Sequence, residues 1–200
     1  MTDASNRWLQ ERTVSGDAYD ATYERRAAAG EDVHGEADFV QRFAPVSVLD
    51  AGCGTGRVAR ELARCGLDVV GVDIDPEMLD TARRKAPAVD WRLADLATVD
   101  LSRSFDAIVM AGNVMIFLRP GTESVVVANM ARQLRSGGLL IAGFQIMPDR
   151  LAIPRYDELA ANAGLALAER WSTWDRDAWD TGSDYAVSVH KRLASISRQG

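Results

Sequence analysis

Residues 48–58 read VLDAGCGTGRV. An apolar run carries Asp50 and then meets glycines at 52, 54 and 56, so a buried strand leads directly into a sharp turn. Glycine admits backbone angles closed to other residues and lets main-chain atoms come close to a ligand. In an open parallel sheet, ligands gather beyond the carboxyl ends of the strands, where the strand order switches. A Walker-type phosphate loop needs a lysine and a Ser/Thr behind its glycines, whereas Arg57-Val58 stand there. A dinucleotide turn is spaced G-x-G-x-x-G, but the sixth residue counted from Gly52 is Arg57, which leaves G-x-G-x-G. Asp50 would also repel a pyrophosphate. The turn is built for a ligand that a carboxylate attracts.

Outward from this turn, apolar runs alternate with helical patterns. The runs are 46–52, 68–73, 89–95, 105–112 and 138–144, nearly continuous as parallel strands buried on both faces must be. Val58, Leu62 and Cys65 recur at helical spacing before Gly66. Asp75-Pro76 reads as N-cap and first residue of a helix through Lys85. Val127, Met130, Ala131 and Leu134 mark a further helix; Val125–Val127 favours a strand locally, but a parallel crossover demands a helix there. Residues 154–164 form one more helix. Residues 165–174 and 183–193 read as strands joined by about nine residues, enough for a hairpin and too few for a parallel crossover. In the last strand, Tyr185, Val187 and Val189 are expected to face the core and His190 the solvent. The fold class is α/β, a doubly wound sheet that is mostly parallel with its last strand antiparallel.

The first 45 residues differ in style. GDAYDATYERRAAAG places Tyr19 and Tyr23 on one helical face, and GEADFVQRF forms a second short helix. We expect one domain over 1–200, with a helical cover at 1–45, a ligand-binding core at 46–145 and a terminal helix and strand pair at 146–200.

Composition narrows the function classes. Two hundred residues, 47% hydrophobic, can bury one sizeable core. No run approaches the roughly 20 apolar residues of a membrane span, and MTDASNRWLQER lacks the order of a secretory signal. A net charge of −6 with only Lys85 and Lys191 as lysines argues against nucleic acid, which is held by neutralising phosphates. Two cysteines, Cys53 and Cys65, make no disulfide framework and suit the cytoplasm. We expect no metal, no membrane, and a monomer or homodimer.

S-adenosylmethionine carries a sulfonium and an ammonium against one carboxylate, a net positive charge, so Asp50 attracts it. Asp73, closing the second run about 20 residues on, can accept hydrogen bonds from both ribose hydroxyls. Asp75 is assigned to the helix N-cap instead. Asp95 either accepts from the adenine amino group, with Leu96 against the ring, or is a solvated turn residue. Met78 either flanks adenine or belongs to the core.

At this point the chain resembles the class I S-adenosylmethionine-dependent methyltransferases, on LDAGCGTG, GVDIDPEMLDTAR, LADL, FDAIVMAGNVMIFL and LRSGGLLIAGF. The resemblance implies a Rossmann-like seven-stranded sheet and a cofactor site drawn from Tyr19, Asp50, Gly52, Cys53, Gly54, Gly56, Asp73, Ile74, Met78, Asp95, Leu96, Gly112 and Asn113. Asn113 either touches the methionine part of the cofactor or closes a turn. Asn113-Val114-Met115-Ile116 lacks the Pro-Pro-Tyr/Phe pattern of enzymes that methylate nucleobase amines or glutamine amides. The expected activity is methyl transfer to a small molecule. A non-catalytic protein that senses the cofactor or its demethylated product is the alternative, and a nicotinamide dehydrogenase stands third. His34 is a candidate base or a loop residue. Trp171, Trp174 and Trp179 read as packing, Cys53 as a small loop residue, and Arg57 as solvent-exposed.

Overall fold

The computed structural model describes residues 6–194, so residues 1–5 of the expected cover and 195–200 of the expected tail lie outside it. Seven strands form one sheet in the order β3-β2-β1-β4-β5-β7-β6. The five apolar runs become β1 (Ser47–Ala51), β2 (Asp68–Asp73), β3 (Asp90–Leu93), β4 (Phe105–Met110) and β5 (Leu134–Gln145), and each pairs in parallel with its neighbour. The central β4 is buried along its whole length, as strands covered on both faces must be. From β1 the sheet grows one way through β2 and β3 and the other way through β4, so the order reverses between β1 and β4. The glycine turn leaves β1 at that point.

The remaining strands, β6 (Leu165–Trp171) and β7 (Tyr185–Arg192), form the expected hairpin. Strand β7 runs antiparallel to both β5 and β6 and lies between them. Both faces of β7 are covered, which corrects the expectation for His190. It is 1% exposed, its ring packs edge-on against Tyr156 at 5.1 Å, and Nε2 lies 3.2 Å from the Asp157 carboxylate. Alternation along a strand marks one wet face only where no helix covers it. Helix α8 (Ile153–Asn162), which carries Tyr156 and Asp157, covers this one.

Helices α4 (Arg57–Arg64) and α5 (Pro76–Lys85) pack on one side of the sheet, and the short α6 (Val114–Phe117), α7 (Glu123–Gln133) and α8 on the other. The Asp75 side chain accepts from the Glu77 N–H and Pro76 stands at the first position of α5, as the sequence requires. Val125–Val127 lies inside α7, where Val126 and Val127 are fully buried. The crossover from β4 to β5 overrides their local strand preference.

Three helices precede the sheet: α1 (Arg7–Glu11), α2 (Gly16–Ala28) and α3 (Gly35–Gln41). Helix α2 is anchored by Asp20, a residue 1% exposed. It pairs with Arg60 of α4 at 2.8 Å and with Lys85 of α5. Helix α3 is anchored by Glu36, which pairs with Arg57. Arg57 is therefore not the exposed residue its sequence position suggested: its side chain is 12% exposed and its guanidinium also stacks over Tyr23 at 4.4 Å. Among the described residues, no helix is long and apolar enough to cross a membrane.

Candidate functional site

A cleft of about 890 Å³, solvent space included, opens at the carboxyl ends of β1, β2 and β4. The floor is the glycine turn. Gly52 and Gly54 take φ of +80° and +55°, angles that side-chain-bearing residues rarely adopt. The N–H groups of Gly52 and Cys53 donate to the Val72 carbonyl at 2.8 and 3.0 Å, tying the turn to β2.

Two buried carboxylates, Asp50 and Asp73, line the cleft beside this floor. Asp50 is 2% exposed and accepts from the Ala59 N–H in the first turn of α4 at 3.0 Å. Asp73 is 7% exposed; one oxygen accepts from the Gly54 N–H at 2.7 Å and the other from the Asp75 N–H at 2.8 Å. Among the described residues neither is in an ion pair. Burial pushes Asp50 up to about 7 and Asp73 up to about 6, because removing water disfavours the charged form. A carboxylate offers about four lone-pair sites, so Asp73 keeps acceptor capacity for a diol after serving two backbone donors. Burial likewise pushes the Cys53 thiol well up, which suits a loop residue and not a thiolate nucleophile.

Ile74, Met78, Asp95 and Leu96 line the next part of the cleft, and Gly112 and Tyr19 complete it. One oxygen of Asp95 accepts from the Ala97 N–H at 2.8 Å, so the residue is held in its turn while it borders the cleft. Tyr19 lies in α2, and its hydroxyl is 3.3 Å from that of Tyr23.

Two residues named from the sequence stand outside the cleft lining. Gly56 opens α4 at φ +77°, and a Cβ there would overlap the Trp91 ring; it is a packing glycine. Asn113, at φ +71°, accepts from the Gln145 N–H at 2.8 Å through its side chain. It closes the turn onto β5. His34 does not line the cleft either: Nδ1 is 3.8 Å from Glu61. Trp174 packs edge-on against Phe39 and donates to the Tyr185 hydroxyl at 3.2 Å, while Trp179 sits under the Arg170 guanidinium. No group of His, Cys, Asp and Glu among the described residues suits a metal.

The cleft also takes in residues that sequence reasoning missed. Thr55 and Arg57 line it from the glycine turn, and Phe117 from α6 beside Val114, which the resemblance implies for the acceptor side. Phe117 carried no polar signal. Trp8, in α1, also lines it, and nothing in its sequence neighbourhood marked it.

The fold and the cleft define a Rossmann-like protein with its cleft at the switch in strand order. Residues 48–138 match the family model described as a methyltransferase domain. A TehB-like SAM-dependent methyltransferase from Corynebacterium glutamicum is 35% identical, with a TM-score of 0.82 over 88% of this chain and 97% of that one. The demethylmenaquinone methyltransferase of Tropheryma whipplei is 35% identical over 114 residues, 54% of this chain and 46% of that protein. The trans-aconitate 2-methyltransferase of Methylobacterium nodulans is 30% identical over 178 residues, 80% and 67% of the two chains. The chain thus spans about half the length of the first of these curated relatives. It belongs to the S-adenosylmethionine-dependent methyltransferase family.

Proposed function

We propose that this chain binds S-adenosylmethionine in the cleft and catalyses transfer of its methyl group to a small, uncharged acceptor. The observation that carries the reading is the pair of buried carboxylates, Asp50 and Asp73, which lack an ion-pair partner among the described residues and flank a glycine turn at the switch in strand order. A ligand with net positive charge compensates them. When bound, S-adenosylmethionine supplies a methyl group on a sulfonium, which is a good leaving group. Asp73 accepts from the ribose hydroxyls, and Asp95 accepts from the adenine amino group. Ile74, Met78 and Leu96 bound the apolar flanks of the ring. Gly52 and Gly54 let the main chain approach the methionine part, and Tyr19 covers it. Such transfer is an in-line displacement, so holding donor and acceptor in line supplies much of the rate.

The acceptor follows from the rest of the lining. Trp8, Val114, Phe117 and Leu118 are apolar or aromatic, and the charged residues are three acids and Arg57, which Glu36 already neutralises. An anionic acceptor would meet no uncommitted cation among the described lining residues. The names of the relatives span a demethylmenaquinone and trans-aconitate and so do not choose between the two kinds.

The test is S-adenosylhomocysteine formation with a metabolite extract split on an anion exchanger. Turnover with the unretained fraction is the expected result. Turnover confined to the retained anions overturns the acceptor assignment. Tight cofactor binding with no turnover on any fraction identifies a sensor instead of an enzyme.

A further inference from the structure

Helix α1 borders the cleft through Trp8 and is fastened on two sides of it. On the β4 side, the Trp8 ring packs edge-on against Phe117 at 5.5 Å, and Arg7 donates to the Ile116 carbonyl at 3.4 Å. On the β2 side, Arg12 donates to Glu77 at 2.7 Å, and the other bonds converge on Asp75. Its Oδ2 accepts from Trp8 Nε1 at 2.9 Å and lies 3.0 Å from Arg12 Nε. Its Oδ1 accepts from the Glu77 N–H at 3.0 Å. Its own N–H donates to Asp73 at 2.8 Å. Asp75 is 0% exposed.

An N-cap needs one carboxylate oxygen and no burial. This aspartate does more: one residue is bonded at once to the carboxylate assigned to the ribose and to the tryptophan that roofs the cleft. Both of its oxygens are engaged, and the second serves only α1 and its flank.

From this junction we infer that Asp75 is a positioning residue for the cofactor, holding the ribose acceptor Asp73 and the roof residue Trp8 in register. The inference rests on the cofactor reading above. It makes the Trp8–Asp75 bond a clasp that must open for cofactor to enter and product to leave, and it gives α1 a role its five residues could not sustain alone, since isolated short helices are unstable in water.

Asp75→Asn separates this role from capping. Asparagine caps as well as aspartate, so its carbonyl still serves the Glu77 N–H. Its amide N–H groups, however, now face the Trp8 N–H and the Arg12 guanidinium, donor against donor. Two measurements on the full chain decide. Hydrogen exchange of the free protein should be at least about tenfold faster at residues 7–11 in Asp75→Asn while α5 stays protected, and S-adenosylhomocysteine affinity should fall about tenfold, the effect of one charged-acceptor bond. Trp8→Phe, which keeps an aromatic ring and removes the donor, should weaken binding similarly, and the double variant should be no worse than Asp75→Asn alone, because both remove the Trp8–Asp75 bond. Parental affinity in Asp75→Asn, unchanged exchange at residues 7–11, or additive losses in the double variant would each overturn the inference. If the parent chain binds no S-adenosylhomocysteine, the cofactor reading fails first, and the exchange measurement alone still decides whether the clasp exists.

Discussion

The Thr55 hydroxyl donates to the Asp20 carboxylate across 2.9 Å, so the glycine turn behind β1 is bonded to helix α2 thirty-five residues earlier. Asp20 also holds Arg60 and Lys85, and its neighbour Tyr19 lines the cleft. One buried acid thereby sets the height of the helical cover above the turn. Asp20→Asn keeps an acceptor for Thr55 but takes the counter-charge from Arg60 and leaves Lys85 with Glu24 alone. It should lower stability by about 1–3 kcal/mol, read as a fall in melting temperature. Cofactor affinity should fall with it. A parental melting temperature would mean that the cover docks through other contacts.

The glycines at 54 and 56 should fail in different ways. At Gly54 a Cβ would meet nothing within 4 Å, so Gly54→Ala carries only the left-handed strain of about 1–2 kcal/mol and folds. The methyl would point into open space beside the cleft floor, and binding should be lost. At Gly56 the same strain adds to overlap with Trp91, and overpacking costs a further 1–3 kcal/mol or so. Gly56→Ala should therefore melt well below Gly54→Ala. The reverse order would mean that Trp91 can move aside.

With Asp73 as the proposed ribose acceptor, Asp73→Ala removes charged acceptor bonds worth roughly 1.5–3 kcal/mol each, and each 1.4 kcal/mol is about tenfold in affinity. Calorimetry should show binding weaker by about ten- to a thousandfold. The fold will feel the change as well, because Asp73 also accepts from Gly54 and Asp75. A leftover buried N–H costs about 1–3 kcal/mol, so a lower melting temperature accompanies the loss. Asp73→Ala with full affinity would remove Asp73 from the ribose site.

Cofactor affinity should rise with pH. The free protein holds Asp50 and Asp73 at about 7 and about 6, and a cation bound against them favours their ionised forms, so binding releases protons. S-adenosylmethionine should bind more tightly as pH climbs through about 6 to 7, and titration heats near pH 6.5 or so should vary with the buffer in the sense of proton release. The stability of the free protein moves the other way. Both acids bind protons more tightly folded than unfolded, so their contribution is full below the ordinary 3.8 and is lost as pH rises through 6 and 7. Affinity flat across this window would mean that neither acid faces the cation.

Residues 7–28 should gain protection from hydrogen exchange when S-adenosylhomocysteine binds, since Trp8 and Tyr19 both line the cleft. Unchanged exchange there would show that the cover does not close over the ligand.

What the sequence made legible was local and periodic. The strands of the central sheet, the helix opened by Asp75-Pro76 and the glycine turn each have a signal within a few residues. Cleft residues supplied by those same segments, such as Asp73, Ile74 and Leu96, were legible with them. Contacts formed across long stretches of chain were not. Arg57 reads as exposed until Glu36 is brought beside it from α3, and His190 reads as exposed until α8 covers its strand. Asn113 sits one residue beyond Gly112, which lines the cleft, yet its left-handed backbone turns its side chain to Gln145. Trp8 belongs to a helix too short to announce itself, and its partner lies 67 residues away.

The insertion of β7 between β5 and β6 also constrains the order of assembly. Strand β6 leaves the ribosome before β7, yet β6 touches the sheet only through β7. Until residues 185–192 have emerged, β5 presents an unpaired edge beside buried Ile141, Ala142 and Phe144, and β6 has nothing to join. An unpaired apolar edge is a template for wrong partners, and closing non-local strand pairs is slow. The C-terminal half of the sheet is therefore completed late in synthesis, and a chain stalled before residue 185 exposes a sticky edge.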